Sequence, residues 1–209
     1  MEEITIRKAV MPDLPYLYEI CLKTGDNGKD ASALFFDEFL MGQYYAAPYL
    51  IFPEGICFVA EHQYRPKGYI IAVPDTIAFM QWMEEQWLPP LRKRYVQPAA
   101  SELCSKKEKE IYKCIFEQKF PVDAAAEPWL AEYPAHLHID LLPDLQGKGL
   151  GRTLMNNLFE ELKQQRVPGL HLGVSSSNAG AVAFYQKLGF SVLKEHDWGF
   201  TLGIILIGK

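Results

Sequence analysis

Gln146-Gly147-Lys148-Gly149-Leu150-Gly151-Arg152 stands directly ahead of a run in which Leu150, Leu154, Leu158 and Leu162 recur every fourth residue. Alternate glycines weaken any helix or strand interior, whereas the leucine period calls for a helix with one buried face. The segment therefore reads as a tight turn feeding a helix at 149–166, and the alternating stretch His136 to Leu142 before it reads as a strand. Val167-Pro168-Gly169 stops the helix, Leu170 to Val174 forms the next strand, and Ala179 to Leu188 the next helix. Gly189 takes the left-handed cap of that helix. Phe190 to Lys194 and Phe200 to Ile207 complete a βαβαβ succession.

The first two thirds are less regular. Ile4 to Arg7 alternates as a short strand, and Asp13 is placed to cap a helix from Leu14 to about Cys21. Thr24 to Gly28 breaks the chain, and helical spacing of Leu34, Phe35, Phe39 and Leu40 predicts a helix over 31–45. Ile56–Glu61 and Lys67–Val73 read as a hairpin joined by a polar turn containing Arg65-Pro66. A helix over 76–88 should stop at Pro89-Pro90, and a second should run from Ser105, with Glu108 at capping-box spacing, to about Lys119. Phe79, Trp82, Met83 and Trp87 make an apolar stripe read as core. The whole, residues 1–209, reads as one α/β domain. It is a mixed, mostly antiparallel sheet with helices on both faces, with a helical insertion at about 75–134 between strands 3 and 4.

Composition narrows the function. A net charge of −5 with no long Lys/Arg run argues against nucleic-acid or anionic-membrane partners, and Arg92-Lys93-Arg94 reads as a solvated helix end. The N-terminus lacks the basic and apolar regions of a signal peptide, and Leu202 to Ile207 is too short to span a bilayer. Cys21, Cys57, Cys104 and Cys114 form no C-x-x-C, which fits reduced thiols in a cytoplasmic protein. His136, His138 and Asp140 alternate on one strand face, a weak pattern for a metal without further ligands, so no metal is expected.

The glycine loop carries the chemistry. Free N–H groups and the positive end of the helix dipole would face a ligand that the missing Cβ atoms allow to come close, which suits a phosphate or pyrophosphate. The spacing is neither that of a Walker A loop nor the G-x-G-x-x-G of a dinucleotide fold. Beginning 32 residues after Gln146 comes Asn178-Ala-Gly-Ala-Val-Ala-Phe184-Tyr185-Gln-Lys187-Leu-Gly189-Phe190, whose Ala181, Phe184, Tyr185 and Leu188 share a helix face.

Taken together, Q-x-x-G-x-G at a helix start and N-x-x-x-x-x-F-Y-x-K-x-G-F resemble the GNAT acetyltransferase superfamily, as does Ile6-Arg7-Lys8-Ala9 with Asp13. A narrower resemblance lies in Pro48-Tyr49-Leu50, Cys57-Phe58-Val59, Gly68-Tyr69, Trp87-Leu88-Pro89, Arg94-Tyr95 and Tyr133-Pro-Ala-His136-Leu-His138-Ile-Asp140. These are similar to the acetyltransferase-like C-terminal domain of eukaryotic O-GlcNAcases and its free-standing bacterial relatives. Some of that group have lost the glycine loop, which this chain keeps.

The resemblance implies acetyl-CoA as co-substrate and a primary amine as acceptor. It implies a V-shaped splay between the fourth and fifth strands, filled by the pantetheine arm at Leu141 and Leu142. It places the pyrophosphate on Gln146, Gly147, Lys148, Gly149, Leu150, Gly151 and Arg152, with Asn178 and Lys187 also touching the cofactor. The N–H of Leu142 would stabilise the developing oxyanion. Tyr185, whose unperturbed pKa is about 10, would protonate the leaving thiolate. Asp140, His138 or a water chain would take the amine proton. Residues 75–134 would form a wall of the acceptor pocket. The expected function is acetyl-CoA-dependent N-acetyltransfer; the other reading is a catalytically weak acyl-CoA-binding sensor or scaffold.

Overall fold

A computed structural model describes residues 4–95, 105–117 and 127–208. Seven strands form one sheet: β1 (Ile4–Lys8), β2 (Ile56–His62), β3 (Arg65–Val73), β4 (Ala135–Leu141), β5 (Gly169–Ser175), β6 (Ser191–His196) and β7 (Gly199–Ile205). Their spatial order is β1-β2-β3-β4-β5-β7-β6. Every pairing is antiparallel except β4 with β5, which is parallel and registers only at Ala135–Leu170 and His136–His171. Past those residues the two strands part, as the splay expected from the resemblance requires.

Both sheet faces are covered, so β3 reads as an almost unbroken apolar run. On one face α1 (Leu14–Thr24), α2 (Leu40–Tyr45) and α3 (Ala47–Ile51) bury Leu17, Ile20 and Tyr49 against Val59, Tyr69 and Ile71. α4 (Thr76–Trp82), α5 (Leu88–Arg94) and α6 (Lys106–Glu117) join that face through Phe79, Leu88 and Ile115, and α7 (Leu150–Gln164) and α8 (Ala179–Lys187) cover the other. Leu154, Leu158 and Leu162 of α7 pack there on Ile70, Leu137 and Leu172, as their four-residue spacing demands.

Four local expectations are corrected. The hairpin turns at Gln63-Tyr64, both with positive φ (52° and 60°), while Arg65 and Pro66 already pair in β3 across a bulge. Two successive left-handed residues match the twist of a tight hairpin, a geometry usually signalled by Asn-Gly, which this chain lacks. The 31–45 segment is not one helix. A 3-10 turn at Ser32–Leu34 precedes α2, because the buried Glu108 carboxylate accepts from the N–H of Phe36 at 2.6 Å and of Asp37 at 3.3 Å, pulling the backbone out of a helical path. The helix at 76 does not stop at Pro89-Pro90. A π-helical turn at Met83–Trp87 separates α4 from α5, so both prolines fall in the first turn of α5, where no intrahelical N–H bond is needed. Asp13 makes no side-chain cap on α1. Its carboxylate instead accepts from the Val10 N–H at 2.8 Å and from both terminal nitrogens of Arg7 at 2.7 and 2.8 Å.

The capping box at Ser105 and Glu108 is present, each side chain bonding the other's N–H at 3.1 Å, but the expected end of α6 at Lys119 lies outside the described residues. Phe79 and Met83 are buried as core. Cys21, Cys57 and Cys114 are free thiols, and Cys104 lies outside the described residues. No helix among the described residues is long and apolar enough to cross a membrane.

The Arg7 guanidinium, followed by the Val10 N–H, holds the Asp13 carboxyl below its ordinary range against an opposing desolvation. A carboxyl depressed in the folded state contributes stability in full above its unfolded pKa of about 3.9 and loses it as pH falls through the folded value. Asp13→Asn should therefore be less stable than the parent at pH 7, and the gap should narrow below about pH 4, as read from urea midpoints across that range.

Candidate functional site

The glycine loop folds as the spacing demands. After β4, a 3-10 turn at Pro143–Leu145 leads into Gly147 (φ 72°) and Gly149 (φ 80°), both left-handed, with Gly149 at the N-cap of α7. Gln146 braces the loop by donating from Nε2 to the Leu141 carbonyl at 2.8 Å. No backbone or side-chain acceptor among the described residues meets the N–H groups of Gly149, Leu150, Gly151 and Arg152. These are the four orphan donors of a helix start, at the positive end of a 15-residue helix. Gly151 is small for another reason: a Cβ there would stand 3.2 Å from Phe184, so its absence lets α8 close on α7.

The loop opens into a cleft of about 750 Å³. Its walls are the end of β4 (Ile139, Asp140, Leu141), the loop and first turn of α7, and α8 from Asn178 to Lys187. The fourth wall is the turn after α1, through Thr24, Asn27, Gly28 and Lys29. The cleft continues into a pocket of about 210 Å³ between β4 and β5, which shares Thr24, Asp140, Asn178 and Tyr185 with it and adds His138. Although the chain is acidic, Lys29, Arg152 and Lys187 gather at this cleft.

Of the residues expected here from sequence, Tyr185, Asp140, His138, Leu141, Gln146, Gly147, Gly149, Leu150, Gly151, Arg152, Asn178 and Lys187 line one cavity or the other. Leu142 and Lys148 line neither. The Leu142 N–H is committed to the Lys67 carbonyl at 2.9 Å, which takes it out of the oxyanion role expected for it. Backbone groups alternate sides along a strand, so the N–H groups of Leu141 and Ile139 point away from β3, toward the side that β5 has left. Asn178 caps α8, its Oδ1 accepting from the Ala181 N–H at 3.1 Å.

Titratable groups line the inner end. Tyr185 is buried, no hydrogen bond to its hydroxyl appears among the described residues, and burial followed by the Asp140 charge pushes its pKa up. Burial likewise raises Asp140, opposed by the Tyr69 hydroxyl, which donates to Oδ2 at 2.7 Å. Burial lowers His138 to about 4. Among the described residues no three His, Cys, Asp or Glu side chains gather to hold a metal ion.

Sequence reasoning missed the turn after α1 as a wall of the cleft. It looked like a plain breaker, and nothing in its composition marks it. Among the described residues the insertion, expected to supply a wall, lines neither cavity. It supports the wall from behind: Lys107 of α6 donates to Asp26 at 2.6 Å and to the Gly25 carbonyl at 3.3 Å.

Comparison with known proteins agrees with this geometry. Residues 111–190 match the model of the acetyltransferase (GNAT) family. Over 99% of its length the chain is similar to the crystal structure of SsHAT, with 31% identity, 100% of that chain covered and a TM-score of 0.86. The chain belongs to the GNAT acetyltransferase family. A stretch of 49 residues is 49% identical to the [ribosomal protein bS18]-alanine N-acetyltransferase of Escherichia coli (strain K12), spanning 23% of this chain and 33% of that protein. The match thus covers about a third of that curated relative. PaiA N-acetyltransferase from Thermoplasma acidophilum, solved in complex with coenzyme A, shares the GNAT fold. Its TM-score is 0.59 at 15% identity, over 97% of this chain and 99% of that one.

A Cβ at Gly147 or Gly149 would meet nothing within 4 Å, so the cost of alanine there is the left-handed backbone alone. Gly147→Ala and Gly149→Ala should each lose about 1–2 kcal/mol in chemical denaturation, with the fold kept.

Proposed function

We propose that the chain is an acetyl-CoA-dependent N-acetyltransferase that moves an acetyl group from the thioester to a primary amine by direct attack. The observation that carries this reading is the row of unpartnered amides at Gly149–Arg152, opening on one continuous cleft that ends at the Tyr185 hydroxyl where β4 and β5 part. CoA-bound GNAT structures of the same fold support the choice of donor.

When bound, acetyl-CoA supplies an acyl group on a good leaving group. The amides at the start of α7, with Arg152 and Lys187, hold its pyrophosphate by charge and hydrogen bonds. The splayed edge of β4 offers the N–H groups of Ile139 and Leu141. The Leu141 N–H, nearer the glycine loop, would pair with a pantetheine amide, and the Ile139 N–H, at the inner pocket beside Tyr185, would face the oxygen that gains charge as the amine adds. A new N–C bond forms as the C–S bond breaks. The proton leaving nitrogen passes to the β4 side, where His138 and Asp140 lie, and the departing sulfur takes the proton of the Tyr185 hydroxyl. Tyr185 suits that role because burial keeps it protonated at neutral pH.

The narrower kinship with the acetyltransferase-like domain of O-GlcNAcases belongs to the same proposal. The residues that carry it come together in space: Tyr49 bonds His136 and His138, and Tyr69 bonds Asp140. We place the protein in the cytoplasm, with a small amine, an aminosugar or a peptide or protein amine as acceptor and neither nucleic acid nor membrane as partner.

Tyr185→Phe tests the reaction. Thiol release in the presence of an acetylated amine should fall about 100-fold or more, while the calorimetric affinity for acetyl-CoA stays within twofold. A wild-type protein that binds acetyl-CoA but acetylates no amine would instead be a sensor or scaffold.

A further inference from the structure

One chain of hydrogen bonds runs behind β4, and chemistry fixes the direction of every link. Thr76 Oγ1 lies 2.6 Å from the Pro134 carbonyl, which can only accept, so the hydroxyl proton of Thr76 is spent there. The same oxygen lies 2.8 Å from His136 Nδ1 and must therefore accept, so His136 carries its proton on Nδ1. His136 is half-buried and neutral, burial being the largest cause that pushes its pKa down, which leaves Nε2 as a lone pair. Tyr49 lies 2.7 Å from that nitrogen and donates to it. With its proton spent, the Tyr49 oxygen accepts from His138 Nε2 at 3.0 Å. His138 thus carries its proton on Nε2, and its Nδ1 is a bare lone pair.

No partner for that Nδ1 appears among the described residues, and it is not among their buried unsatisfied atoms. The side chain is half-buried and lines the pocket between β4 and β5, beside Asp140 and Tyr185. Two tyrosines hold the ring edge-on, Tyr45 at 5.6 Å and Tyr49 at 5.3 Å between centroids. The other titratable groups nearby are His136, whose ring lies 6.4 Å away, and Asp140, whose Oδ2 is already taken by Tyr69. His138 is thus fixed in orientation and tautomer, its side chain lining the pocket at the splay and its Nδ1 lone pair without a partner among the described residues.

We infer that His138 Nδ1 receives the acceptor amine, and that Tyr49, His136 and Thr76 are positioning residues that lock His138 in that tautomer. The inference rests on the acetyltransfer reading and deepens it. A neutral lone pair accepts from an amine N–H and leaves the nitrogen's own lone pair free for the acyl carbon. The ligand it selects is a neutral primary amine. The chain ends on a carbonyl that cannot take a proton, so it orients His138 and does not carry charge away. As the N–C bond forms, Nδ1 takes the amine proton and releases it to solvent. The sulfur takes the Tyr185 proton, which solvent restores.

Two readouts test this. The first is imidazole nitrogen NMR of the labelled protein without substrate, which needs no activity. His136 should be protonated on Nδ1 and His138 on Nε2, opposite tautomers two residues apart on one strand. Tyr49→Phe should release His138 to a mixture while His136 stays protonated on Nδ1, and Thr76→Val, which does not touch the pocket, should release His136. Identical tautomers at both positions, or a His138 protonated on Nδ1, would overturn the lock. The second readout is steady-state kinetics. Tyr49→Phe should lower kcat/KM for the amine about tenfold and leave the affinity for acetyl-CoA unchanged. His138→Gln, which keeps a donor for Tyr49 and loses Nδ1, should lower it further. Unchanged amine kinetics in both variants would overturn the role of His138. Tautomers as assigned in a wild-type protein that acetylates no amine would bring down the acetyltransfer reading, and with it that role, while leaving the lock standing.

Discussion

The rest of the molecule depends on the parting of two parallel strands. β4 and β5 pair at Ala135–Leu170 and His136–His171 and then separate, inside a sheet whose other pairings run their full length. A buried backbone amide without a partner is costly, so a sheet opened at its centre needs something to satisfy it. The N–H groups of Ile139 and Leu141 and those of the first turn of α7 are unspent donors along one cleft. A ligand with spaced amides and a diphosphate would satisfy them.

Much of the structure holds that edge in place. On the β3 side, Lys67 takes the Leu142 N–H and Tyr69 ties down Asp140. At the end of the strand, Gln146 reaches back to the Leu141 carbonyl. From the α1 side, the turn at Thr24–Lys29 closes the cleft, and Lys107 fastens that turn to α6. The insertion therefore shapes the site from a distance. Thr76 at its start anchors the histidine chain, Lys107 anchors the turn, and Glu108 bends the loop before α2.

What could be read from sequence follows from how local each signal is. The glycine loop, the leucine face of α7 and the left-handed cap at Gly189 are short-range patterns, and they stand where spacing put them. The capping box at Ser105 was legible for the same reason. The failures are places where a distant group decides. Glu108, some seventy residues away in the chain, breaks the helix expected at 31–45. A π turn rescues Pro89-Pro90, and Arg7 draws Asp13 off the helix cap. Within the site, Leu142 followed the family pattern in sequence, but strand alternation turns its N–H toward β3, and one position decides which face an amide serves. Tyr49 was visible only as part of a resemblance, since nothing in Pro48-Tyr49-Leu50 says that it will meet two histidines near residue 137.

Calorimetric titration of the purified protein with acetyl-CoA, beside a CoA fragment lacking the pyrophosphate and adenosine, tests the central claim most directly. The account predicts one site of micromolar affinity for acetyl-CoA and weaker binding of the fragment by orders of magnitude, because the amides of α7 then have no anion to hold. Equal affinities would contradict the assignment of the glycine loop. No binding of acetyl-CoA to folded protein would contradict the account as a whole.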